Sequence, residues 1–308
     1  MSFKNAIKLL CTKFHLVWVM TFATFITMVI IVSLGQAPVR EIYKLLESAG
    51  FIERFAAARE GFVSSGNFLE FLNALISVVV DAYKLLAANV RVVVSVMIRL
   101  GLIVLVVLKF ILSTFELPLH RIIQGQMSDN ARLGFLNTYV SFLGKSLLYS
   151  LVKTVVFAVI DSVSIALGVL IVNALSFAPV FIPFIVAVLV IVLFSLRSTM
   201  FFAWSPYILL ENRGVFSSLI RSAKLAFKNF SKVFSGFLIT WIIILALVMF
   251  VAVFTVFIGL IVAVPLFQTL LAFLNMTYFY DKTGLRYYVD GKIFDPNSYA
   301  QDKISDNY

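Results

Sequence analysis

The chain has 308 residues, 62% of them hydrophobic and only 13% charged, whereas a water-soluble protein of this length would be near half apolar and a quarter charged. A single cysteine, Cys11, excludes an intrachain disulfide and a cysteine-based metal site, and the two histidines, His15 and His120, read as residues at the edges of apolar runs rather than ligands. The net charge of +10 does not point to nucleic acid, because the cations flank the apolar runs, where membrane topology accounts for them.

In chain order, residues 1–15 carry Lys4, Lys8 and Lys13 and no acid. Residues 16–34 are uncharged and long enough to cross a bilayer. The run is too long for a cleaved signal peptide, and Pro38 follows the small residues Gly35 and Ala37, so an uncleaved first span is expected. Residues 36–91 differ: six cations and six acids balance, and Val39, Ile42, Tyr43 and Leu46 recur at helical spacing. This stretch reads as an extracytoplasmic helical region, broken at 61–67 with Asn67 as a cap. Residues 68–86 are apolar enough to lie on or dip into the membrane, but Glu70, Asp81 and Lys84 argue against a full crossing.

A second span is expected over 92–115, with Arg99 and Lys109 inside it and Pro118 ending it. An aromatic helix through Phe135, Tyr139 and Phe142 leads to a third span at 146–172, which holds Lys153 and Asp161. A turn at 173–177 precedes a fourth span at 178–202. The fifth and sixth are expected at 233–254 and 256–278, and a polar cytoplasmic tail, 281–308, is expected to fray. The expectation is one domain, 1–308: an all-α integral membrane protein with about six transmembrane helices plus interfacial amphipathic helices.

Between the fourth and fifth spans lies a basic amphipathic stretch. On a helical wheel Phe216, Leu219, Ile220, Ala223, Phe227, Phe230 and Phe234 fall within roughly 100° of arc. Arg221, Lys224, Lys228 and Lys232 cluster opposite. Such a helix suits a membrane–water interface, with the four cations on anionic lipid headgroups; alternatively its apolar face packs on the protein's own spans. With six spans and the N-terminus inside, sixteen of the 25 lysines and arginines fall in inner segments and six in outer ones, which places both termini in the cytoplasm.

Ionisable residues inside spans are costly and so are candidates for function. Lys109 and Lys153 lie near the inner ends of their spans, where snorkelling explains them. Asp161 lies near mid-span, and Arg99 can reach its depth, so an Arg99–Asp161 pair or a solvated cavity at Asp161 is expected. No phosphate-binding loop, nucleophile elbow or supported catalytic serine occurs. No catalytic residue, cofactor or metal is therefore assigned.

The segments Pro206-Tyr207-Ile208-Leu209-Leu210-Glu211 and Leu219-Ile220-Arg221-Ser222-Ala223-Lys224-Leu225, with 259–265 and 272–280, carry a resemblance. Over about 128–280 the chain resembles a loose group of uncharacterised bacterial polytopic membrane proteins. The group includes the membrane domain fused to some glycerophosphodiester phosphodiesterases. It has no established catalytic residues in this part, and no phosphodiesterase domain or counterpart of residues 36–91 is shared. The expected function is a non-enzymatic scaffold or accessory subunit, with anionic membrane lipids and a membrane protein as partners. The alternative is a transporter or lipid-handling protein with a cavity near Asp161.

Overall fold

The computed structural model describes residues 2–129, 131, 133–174, 181–255, 259–289 and 291–296. It is an all-α integral membrane protein in which seven helical stretches are long and apolar enough to cross a bilayer. Six of them correspond to the expected spans, and the seventh is 68–88. The starts of the fourth and sixth spans at 178–180 and 256–258, most of the expected turn at 173–177, and the tail beyond 296 lie outside the described residues.

The helices are α1 (Ser2–Thr12), α2 (His15–Ser48), α3 (Phe51–Ser65), α4 (Phe68–Ala88), α5 (Val90–Leu102), α6 (Lys109–Asp129), α7 (Phe135–Ala174), α8 (Ile182–Phe201), α9 (Trp204–Leu210), α10 (Val215–Lys228), α11 (Phe230–Phe254) and α12 (Leu260–Thr283). A π-helical turn, Ile103–Leu108, joins α5 to α6, and two short strands, β1 (Tyr287–Val289) and β2 (Lys292–Phe294), follow α12. Where one domain was expected, the chain forms two compact units: residues 1–27 with 109–308, and residues 28–108.

In the larger unit the buried side chains gather at one end of the spans. The 40 residues of α7 reach ~60 Å, about twice the hydrocarbon core of a bilayer, yet the residues α7 buries all lie at or before Thr154. Beyond it, Val159, Val163 and Leu170 are exposed, as suits a lipid-facing surface. The core combines Leu119, Ile122 and Met127 of α6, Phe202, Val233 and Phe237, and Phe273, Met276 and Phe279 of α12. Pro118 does not end the second span: α6 continues through it to Asp129. Neighbouring helices make such a proline tolerable, because only one backbone hydrogen bond is lost.

The segment after α12 does not fray at 287–294. It forms an antiparallel hairpin pairing Tyr287 with Phe294, turned at Gly291 with φ 75°. Tyr287 is fully buried, and burial, followed by the neighbouring Asp281 charge, pushes its phenol up. It therefore stays protonated and donates to Asp281 at 2.9 Å while accepting from Asn5 at 2.9 Å. The Ser2 hydroxyl also donates to Asp281, so α1 is fastened to the end of α12.

The smaller unit is built of helical hairpins. Gly50 and Gly66, with φ of 66° and 63°, make the left-handed turns before α3 and α4. The Asn67 side chain caps α4, accepting from the amides of Leu69 and Glu70. Arg54 of α3 bridges to Asp81 of α4 at 3.0 Å. Most large apolar side chains of α4, Leu69 and Tyr83 among them, are exposed.

Candidate functional site

The larger unit contains a cavity of about 430 Å³ lined by side chains of α2, α6, α7, α8, α11 and α12. Its polar wall is built by repetition along two helices. On α7, Tyr149, Lys153 and Phe157 line the cavity at four-residue spacing, and Asp161 continues the same stripe beyond the lining. On α6, Lys109, Ser113, Glu116 and His120 do the same at spacings of four, three and four. α8 adds Arg197 and Ser198, and α12 adds Gln268 and Asn275.

The charges are cross-linked between helices. Asp161 receives Arg197 at 2.8 Å and also pairs with Lys109. Glu116 pairs with Lys153 and accepts from the Tyr149 hydroxyl at 3.0 Å. The Arg197 guanidinium lies 4.8 Å from the ring centres of both Phe157 and Phe194, a cation–π sandwich. His120 Nδ1 donates to the Glu116 carbonyl at 2.8 Å. Much of the remaining lining is apolar, including Leu112, Ile244, Val248, Phe267 and Leu271. Trp241 also lines the cavity, its indole N–H donating to Ser198 at 2.9 Å.

Two expectations are corrected here. Arg99 does not meet Asp161: it forks onto Glu41 at 2.7 and 2.5 Å. The reason is that α2 runs unbroken through Pro38 to Ser48, which carries Glu41 to Arg99 within the smaller unit. Lys109 and Lys153 do not snorkel outward, because each finds a carboxylate on a neighbouring helix. Glu116 and Arg197 escaped the sequence reading. The four-residue recurrence of Tyr149, Lys153, Phe157 and Asp161 was the signal that would have exposed the polar stripe.

The basic stretch is two helices rather than one. α10 ends at Asn229, whose side chain and amide both bond the Leu225 carbonyl, so Arg221, Lys224 and Lys228 lie on α10 and Lys232 on α11. α10 packs through its small face, Val215, Ser218, Ser222 and Ala226. The Ser222 hydroxyl donates to the Met200 carbonyl at 2.9 Å, and the buried Trp204 indole of α9 donates to the Val215 carbonyl at 2.9 Å. The aromatic face is turned outward: Phe216, Ile220 and Phe227 are 64%, 58% and 67% exposed. The cations occupy the remaining side, with Arg221 reaching Glu211 at 3.2 Å.

Among the described residues, no cluster of three or more His, Cys, Asp or Glu side chains forms that could hold a metal ion. No family model, curated protein or solved structure matches the chain.

Proposed function

We propose that the protein is a non-enzymatic, multi-pass protein of a bacterial cytoplasmic membrane that holds an amphiphilic small molecule between its spans, in a lipid-handling or transport role. The observation that carries this reading is the cavity itself, which combines ion-paired polar side chains with apolar ones and is lined by the spanning helices. That is the composition of a small-ligand site: largely apolar, with a few placed polar groups. α10 supports it, because a helix that hides its small residues and leaves Phe216, Ile220 and Phe227 outside fits a headgroup layer. Arg221, Lys224, Lys228 and Lys232 then contact anionic lipid. The excess of cations in the segments shared with α10 favours a cytoplasmic location for that face and for both termini.

A second reading, an accessory subunit or scaffold docked through residues 28–108, draws on the exposed apolar surface of α4. The resemblance to bacterial membrane proteins that include phosphodiesterase-linked domains is compatible with either role. Native mass spectrometry of the gently extracted protein separates them. One defined lipid or small molecule retained per chain supports the lipid-handling reading. A stoichiometric protein partner with an empty chain overturns it in favour of the subunit.

A further inference from the structure

On the reading just given, we propose that the cavity receives a headgroup with a single negative charge and its own hydroxyl donors, a phosphate diester bearing a polyol, with the tail among the apolar lining residues. The first argument is charge. Lys109, Lys153 and Arg197 face the cavity, and only Glu116 and Asp161 answer them. One positive charge is left over in a site walled by hydrocarbon, where an unanswered charge is costly. One anion on the ligand closes the balance. Donors for it remain: Arg197 has committed Nη1 to Asp161, and its fork carries four more N–H groups.

The second argument is hydrogen bonding, and it is independent of the first. His120 is 1% exposed, and its Nδ1–H is spent on the Glu116 carbonyl, so Nε2 of the neutral ring is an acceptor. Among the described residues Nε2 has no partner, and neither has Gln268 Oε1 nor the Thr154 hydroxyl, itself 4% exposed. Two buried acceptors without donors call for O–H or N–H groups on the guest. A plain carboxylate brings the charge but no donor. A quaternary ammonium headgroup brings no donor and a positive charge that cancels the anion. A hydroxyl-bearing phosphate diester supplies both.

The test uses the full-length protein in a neutral maltoside detergent and three lipids with identical chains. Phosphatidylglycerol has the anion and the hydroxyls, phosphatidylmethanol the anion alone, and phosphatidylcholine neither. Binding is read by retention in native mass spectrometry and by intrinsic tryptophan fluorescence. The expected order is phosphatidylglycerol, then phosphatidylmethanol, then phosphatidylcholine, with roughly tenfold or more between the first and the last. Equal binding of all three overturns the headgroup assignment and leaves an amphiphile cavity standing. Binding of none overturns both. Displacement by glycerophosphoglycerol, the deacylated diester, at the lipid's own concentration supports the polar chemistry and makes a free phosphodiester polyol the occupant. Arg197→Gln removes the surplus charge while Lys109 still answers Asp161 and Lys153 answers Glu116. It is expected to reduce the preference for phosphatidylglycerol over phosphatidylcholine to about twofold or less. A preference that survives Arg197→Gln intact overturns the charge argument, and the wild-type lipid order decides the proposal even where this variant fails to fold.

Discussion

Asp161 is a mostly buried carboxylate that serves two cations, Lys109 of α6 and Arg197 of α8, while itself standing on α7. The three side chains are 22%, 20% and 15% exposed, so water does little to screen them. Asp161→Asn would leave both cations without a counter-charge in a partly buried site. The expected loss is about 3 kcal/mol or more of stability, read as a fall in the thermal unfolding midpoint in detergent. Asp161→Asn combined with Arg197→Gln should recover a large part of that loss, because only Lys109 then lacks a partner. A single variant as stable as the parent would show the cluster to be solvated and its pairing dispensable. Asp161 itself was legible in the sequence as a mid-span charge. Its partners were not, because depth in the bilayer restricts which residues can meet but does not say which helices are neighbours.

α10 shows what an amphipathic pattern conveys and what it omits. The aromatic and cationic stripes can be read directly from the spacing of Phe216, Ile220, Phe227 and of Arg221, Lys224, Lys228. The packing stripe cannot, because Ser218, Ser222 and Ala226 carry almost no hydropathy signal, yet these small side chains let α10 approach α8 and α9 closely. A wheel alone therefore left open whether the aromatic face was inside, and the burial of the small face decides it. Helix ends show the same limit. Pro118 looked like a stop, yet it lies inside a continuous helix, as Pro38 does. If the cationic stripe sits on anionic headgroups, each lysine contributes on the order of 1 kcal/mol. Lys224→Glu with Lys228→Glu should then lower retention of anionic lipid by about fivefold per position, with retention of neutral lipid unchanged. Equal loss of both lipid types would point to a damaged fold, and no loss would place the stripe in water.

The fastening of α1 to α12 constrains the whole molecule. Ser2 and Asn5 reach Asp281 and Tyr287 directly, so the first helix and the end of the last share one face of the bilayer. An odd number of crossings between them is then impossible, although seven helical stretches are long and apolar enough. α4 is the one to exclude. It carries Glu70, Asp81 and Lys84, it buries only Val78, and Asp81 is held by Arg54 of α3. Lying along the outer interface, α4 would have both ends on the same side, and the cation excess would keep α1 and the hairpin in the cytoplasm. The single, exposed Cys11 makes this measurable with an impermeant maleimide on membrane vesicles of known orientation. Cys11 should label only from the cytoplasmic face. In a Cys11→Ser background, Ser64→Cys and Ala88→Cys flank α4, and both should label only from the opposite face. Labelling of the two from opposite faces would make α4 a true span, and some other helix would then have to turn back within the bilayer to keep α1 against α12.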